Sequence, residues 1–161
     1  MSTFSNDQNT KGFTKGFSLV EILIVIVILS VLSSIAIPNF IKFQQNRNLQ
    51  EAVGALMADL KFARQSAMTQ GVNYTVTLNP SNETYRVQGG TYDVTKKVSD
   101  FGSKTQIYWT SFPYNKVTFQ PRGTLVETGT YSVLLRNKRD SCIHVNVNLL
   151  GRVTKTIHQI K

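Results

Sequence analysis

Apolar residues are concentrated near the start of the chain, and their spacing changes twice along it. From Ile22 to Ile41 there are twenty consecutive residues without a charge, and Ile22 to Leu29 is an unbroken aliphatic run. A bilayer span needs about 20 such residues at ~1.5 Å each, so the stretch is long enough to cross one. Beyond it the composition turns polar, through Lys42, Gln44, Gln45, Asn46, Arg47 and Asn48. An apolar stripe then follows at Leu49, Val53, Leu56, Leu60, Ala63 and Ala67, whose spacings of 4, 3, 4, 3 and 4 fall on one helical face. Six positions are too few for a coiled-coil seam, so the stripe predicts packing on a core. Gly71 after Gln70 suits a left-handed residue that ends the helix. Pro38 removes a backbone donor, and a kink or loosened turn is expected there. A helix from Phe17 to Gln70 would be about 80 Å long. Its first half is apolar all round and its second half on one face only.

After Gly71 the period becomes two. Val72, Tyr74, Val76 and Leu78 alternate with Asn73, Thr75 and Thr77, as in a half-buried strand. Asn79-Pro80-Ser81-Asn82 is a turn, Thr84 to Gln88 the returning strand, and Gly89-Gly90 closes the hairpin. Asp93 to Lys104 is polar and reads as a surface loop. Further strands are expected at Thr105–Trp109, Lys116–Gln120, Tyr131–Leu135, Cys142–Val147 and Arg152–Ile157. Pro121-Arg122-Gly123 and Asn137-Lys138-Arg139-Asp140 supply turns between them. A long N-terminal helix packed on antiparallel strands is an α+β architecture.

Composition adds charge to this picture. The 161 residues carry 18 Lys and Arg against 9 Asp and Glu, a net charge of +9 with a pI near 9.9. Such a surface favours nucleic acid, anionic lipid or acidic partners. A single cysteine, Cys142, excludes an intramolecular disulfide, and two histidines are too few for most zinc sites. No metal and no cofactor is expected. Lys11 and Lys15 precede the apolar run and orient that flank toward the cytoplasm. Ala36-Ile37-Pro38 after the run lacks the small-residue pattern of a Sec cleavage site. The simplest reading is an N-terminal membrane anchor.

Glu21 argues for more than an anchor. It stands in Gly16-Phe17-Ser18-Leu19-Val20-Glu21, at the cytoplasmic edge of the span. A charge at the centre of a membrane helix costs roughly 2.5–3.5 kcal/mol, and less near the interface, so an acid there needs a partner. If the chain were cut after Gly16, Phe17 would present a free α-amino group, and Glu21 of an adjacent subunit could neutralise it.

Lys15-Gly16-Phe17-Ser18-Leu19-Val20-Glu21 and the aliphatic run behind it resemble the class III signal of type IV pilins and pseudopilins. The resemblance implies cleavage between Gly16 and Phe17 by a prepilin peptidase, N-methylation of Phe17, and a role for Glu21 in assembly. The order Phe119-Gln120-Pro121-Arg122-Gly123-Thr124, then Cys142 to Val147, then Leu150-Gly151-Arg152-Val153 is similar to the GspH/FimT branch of that family. Together the two resemblances cover nearly the whole chain. They imply a type IV pilin fold: a cleaved leader at 1–16, a transmembrane and filament-core half-helix at 17–41, an amphipathic half-helix at 42–70, and a β-rich globular domain at 71–161. They also imply a single-pass bacterial inner-membrane protein with its globular domain in the periplasm. It would then join other pilins or pseudopilins at or near the tip of a type IV pilus or a type II secretion pseudopilus.

Members of the FimT group are associated with DNA binding during natural transformation through a Gly-Arg-x-Arg motif. Here Gly151-Arg152-Val153-Thr154-Lys155 has Thr154 where the second arginine is expected, and Lys155 one place later faces the other way on a strand. The match is partial. Arg136, Lys138, Arg139, Arg152, Lys155 and Lys161 nevertheless stand against Asp140 alone in the last 26 residues, enough to engage DNA phosphates without sequence preference. Gly151 would allow a backbone or a phosphate to approach closely. The alternative is a solvated basic surface on a purely structural pseudopilin, facing acidic subunits or anionic lipid. Tyr85, Tyr92, Tyr108, Trp109, Tyr114 and Tyr131 could stack on bases, but strand positions favour core or cross-strand pairs. Ser141, Cys142 and His144 have no orienting acid beside them, and Cys142 reads as a small buried hydrophobe. No catalytic constellation is found.

Overall fold

The computed structural model describes residues 16–160. Lys11, Lys15 and most of the expected leader lie outside the described residues, as does Lys161. The chain divides after Pro38 into two compact units.

Helix α1 runs from Leu19 to Gln70 and contains Pro38. In the first unit every residue from Phe17 to Pro38 is exposed. The helix is long and apolar enough to cross a membrane. Two of its serines are compatible with an apolar environment. Ser30 Oγ donates to the Ile26 carbonyl at 2.7 Å and Ser34 Oγ to that of Val31 at 2.7 Å, satisfying the hydroxyls within the helix.

In the second unit α1 lies on two four-stranded antiparallel sheets. The first has strand order β3-β2-β1-β5 and the second β4-β6-β7-β8. The strands are β1 (Tyr74–Asn79), β2 (Thr84–Gly89), β3 (Tyr92–Lys97), β4 (Thr105–Thr110), β5 (Lys116–Phe119), β6 (Tyr131–Asn137), β7 (Cys142–Val147) and β8 (Val153–Gln159). All six residues of the helical stripe are buried, and Ala52 and Ser66 join them. Opposite them lie the inward residues of both sheets: Tyr74, Val76 and Leu78 of β1, Val133 and Leu135 of β6, and Ile143, Val145 and Val147 of β7. One core results. Burying each large apolar side chain contributes roughly 1.5–3 kcal/mol, which is what holds the helix on the sheets. Gly71 ends α1 at φ +69, its N–H donating to the Ala67 carbonyl at 3.0 Å.

The segment expected as a loop from Asp93 to Lys104 is instead β3 followed by a one-turn helix, α2 (Val98–Phe101). The strand is an edge, and its half-buried face is Tyr92, Val94 and Lys96 rather than a run of apolar residues. Lys96 takes a position where the pattern wants a hydrophobe, because its ammonium reaches Asp59 of α1 at 2.8 Å. Val72, expected to open β1, is exposed in the turn that leaves α1. Strands β4, β6 and β8 run further than expected at their C-terminal ends, where backbone pairing continues past the last apolar residue.

Candidate functional site

At the N-terminal end Phe17 is exposed and α1 opens with the Ile22 N–H donating to the Ser18 carbonyl at 3.2 Å. Glu21 falls in the first turn, where the partial positive charge of the helix N-terminus favours a carboxylate. It is exposed and has no ion-pair partner among the described residues. Ser18 and Glu21 also have the Ser-x-x-Glu spacing of a capping box, a second signal in the sequence that a helix begins here.

The expected DNA-contacting residues do not form one patch. Arg136 is the penultimate residue of β6, and Lys138 and Arg139 sit in the turn to β7. Arg152 lies at the opposite end of β7, beyond six residues that span about 20 Å. Arg136 is already engaged: its guanidinium lies 3.8 Å from the Tyr108 ring centroid and 3.4 Å from Asp140 Oδ1. The turn itself is fixed to α1. Buried Asn137 donates to Asn46 Oδ1 at 3.2 Å, and Ser141 Oγ donates to the same atom at 2.8 Å. Lys138 is exposed and Arg139 half-buried.

At the other end a cavity of about 320 Å³ is lined by Lys61, Arg64, Gln65 and Met68 of α1 with Gly151, Arg152 and Val153. Three cations and no acidic side chain line it, so it presents a positive potential to an anion. Arg64 Nε donates to the Gly123 carbonyl at 2.9 Å, which anchors one cation of the group. Lys155 pairs with Val145 and therefore shares a sheet face with Val153, one step along the edge strand from the cavity. Sequence reasoning does not single out Lys61 and Arg64, because they flank the apolar stripe of a helix, where basic residues ordinarily face solvent.

Gly151 is required by the protein itself rather than by an incoming phosphate. A Cβ there would stand 2.2 Å from the Gly123 carbonyl oxygen and 2.7 Å from Arg64 Nε, and its φ is +70. The aromatics divide. Tyr85 is buried and Tyr92 and Tyr131 pack against the core, but Tyr108, Trp109 and Tyr114 are exposed, Tyr114 by 91%. Tyr108 and Trp109 stand in β4, where the register slips between Ile107 and Trp109, and Tyr114 stands in the tight Pro113–Asn115 turn that follows. Cys142 is half-buried on the outer side of β7, and Ser141 is the fully buried residue. The alternation of β7 sends Ile143, Val145 and Val147 inward and Cys142 outward, which corrects the reading of Cys142 as a core residue. Burial, and then the neighbouring His158, lowers the pKa of His144 below the ordinary histidine value.

Comparison with known proteins follows the same division. The family described as type II transport protein GspH matches residues 52–151, and a prokaryotic N-terminal methylation motif matches residues 8–37. The type IV major pilin protein PilA of Myxococcus xanthus is 43% identical over 60 residues, covering 37% of this chain and 27% of that protein. A fimbrial protein of Pseudomonas aeruginosa is 33% identical over 73 residues, 45% of this chain and 47% of that protein. The chain thus spans less than half the length of each of these relatives. Among solved structures, the type IV minor pilin FimU of Pseudomonas aeruginosa superposes with a TM-score of 0.54 at 17% identity, covering 73% of this chain and 92% of that one. The minor pseudopilin EpsH from the type 2 secretion system of Vibrio cholerae gives 0.51 at 10% identity, covering 71% and 97%. At these identities the likeness is one of fold. With the family match covering most of the chain, the protein belongs to the GspH family, the family described as type II transport protein GspH.

Proposed function

We propose that this chain is an inner-membrane prepilin that is cut between Gly16 and Phe17 by a prepilin peptidase and methylated at Phe17. It then enters the tip of a type IV pilus or type II secretion pseudopilus beside other pilins. In this reading 17–41 crosses the bilayer once, Lys11 and Lys15 hold the leader in the cytoplasm, and 71–161 stands in the periplasm on the 42–70 half-helix. The observation that carries it is Glu21. It is a carboxylate within a helix apolar enough to cross a membrane, four residues after Phe17 and without an ion-pair partner among the described residues of its own chain. Cleavage creates the missing cation, so Glu21 of one subunit pairs with the Phe17 amino group of its neighbour and draws it into register. N-terminal mass spectrometry is expected to find a mature chain beginning at methylated Phe17. Glu21→Ala is expected to be cut normally yet absent from filaments, and normal filament levels of that variant would sink the pairing.

A second activity, contact with DNA of arbitrary sequence, is favoured by the acid-free cavity of Lys61, Arg64 and Arg152, with Lys155 beside it. Phosphates would displace counterions there, so affinity must fall steeply with salt. Titrating the full chain in detergent with duplex DNA across a salt series tests this. Binding without salt dependence, or none, leaves a purely structural pseudopilin whose basic residues face acidic neighbours.

A further inference from the structure

The chain's only two histidines meet on the outer face of the second sheet. His144 lies on β7 and His158 on β8, fourteen residues apart in sequence, with ring centroids 5.5 Å from each other. Two features of the sheet bring them together. The alternation of β7 turns His144 away from Ile143 and Val145, which are core. On β8 the register slips: His144 pairs with Thr156 and Ile143 with Ile157, but Cys142 pairs with Gln159, which leaves His158 as the extra residue of a bulge. Bulges re-aim side chains, and here the ring comes to rest against His144.

We propose that His144 and His158 form an open binding site for a divalent late transition metal, with zinc, nickel and copper the fitting class. The separation suits one ion between the rings. With metal–nitrogen bonds of about 2.0–2.1 Å and a near-tetrahedral angle, two imidazole centroids stand roughly 5.2–5.5 Å apart. Imidazole pairs select these metals over magnesium or calcium, which prefer oxygen ligands. Both rings are accessible, His158 exposed and His144 half-buried. The arginine that shares this face, Arg136, is drawn toward Asp140 and Tyr108. Among the described residues no group of three His, Cys, Asp or Glu gathers here, so the remaining positions of the ion stay open to water or to a donor from another molecule.

The test is a zinc titration of the full chain in detergent micelles with labelled histidine, read from the imidazole NMR signals. Both rings are expected to shift together along one saturable curve at sub-millimolar zinc, with magnesium giving no shift. His144→Gln and His158→Gln keep the face polar, and each is expected to weaken zinc at least about tenfold, with the double variant no worse than either. Rings that shift independently, no saturation by millimolar zinc, or a single variant that retains the affinity of the original chain would overturn the site.

Discussion

The carbonyl oxygen of Gly123 occupies the space that a side chain at Gly151 would need: a Cβ built on Gly151 lies 2.2 Å from it. The same oxygen accepts from Arg64 Nε at 2.9 Å, so three separate segments, the β5–β6 connection, the β7–β8 connection and α1, converge on one atom. Gly151 also holds φ +70, where an alanine is strained. Gly151→Ala is therefore expected to destabilise the fold by about 2–3 kcal/mol. Gly54 provides the control. It is exposed within α1, with nothing within 4 Å of a Cβ, and Gly54→Ala is expected to stabilise by up to about 1 kcal/mol. Denaturant midpoints of the two variants should move in opposite directions. If Gly151→Ala melts like the original chain, the close approach of the two loops is wrong.

Tyr85 is buried and its hydroxyl donates to Asp59 Oδ2 at 2.6 Å, while Lys96 closes on the other oxygen at 2.8 Å. Burial first, then the hydrogen bond to Asp59, pushes the Tyr85 pKa well above the usual value of 10.0. The folded state keeps a proton that the unfolded chain releases. The stabilisation is thus fully present below about pH 10 and is lost as pH rises beyond it. Tyr85→Phe removes the titrating group, and should cost about 1 kcal/mol at neutral pH through the missing hydrogen bond. Its stability should then fall less steeply than that of the original chain between about pH 9 and 11. Parallel losses in the two proteins would show that another group carries the alkaline transition.

Why some of this was legible in the sequence and some not follows from what each element buries. The Leu49 to Ala67 stripe could be read because a helix that packs one face must repeat its apolar residues at that spacing, and all six are buried. Ala52 and Ser66 escape such a reading because small residues satisfy a close helix–sheet approach without raising the apolar pattern. Strand β3 is hidden by Lys96, whose charge is offset by Asp59, a residue 37 positions away that no local window can pair with it. The basic residues mislead differently. Arg136 and Arg152 are near in sequence, but one antiparallel strand between them sends them to opposite ends of the sheet. Lys61 and Arg152, far apart in sequence, line the same cavity.

The turn that carries Lys138 and Arg139 depends on Asn46. Its Oδ1 accepts from Asn137 Nδ2 at 3.2 Å and from Ser141 Oγ at 2.8 Å, joining residues more than ninety positions apart. Both partners are buried. Asn46→Ala removes the two bonds and is expected to cost about 1–3 kcal/mol. Amide exchange in the Asn137–Ser141 turn should speed up while that of β1 and β2 does not. Uniform acceleration would mean that the loss is global rather than local to the turn.

The separation of the basic residues makes the DNA reading divisible. Lys61 and Arg152 line the cavity, whereas Lys138 and Arg139 stand at the far turn. Arg64 and Arg136 are poor choices for substitution. The first holds the Gly123 carbonyl and the second is stacked on Tyr108, so either change would perturb the fold as well as the charge. Removing one cation that neutralises a phosphate lowers the slope of log affinity against log salt by about 0.9 for duplex DNA. Lys61→Ala with Arg152→Ala is therefore expected to flatten the slope by nearly two and to weaken binding similarly on unrelated sequences. Lys138→Ala with Arg139→Ala is expected to leave both nearly unchanged. The reverse result would move the DNA interface to the turn. Equal, partial losses from both pairs would mean that DNA sees only the summed positive charge, and the cavity would then have no special part in holding it.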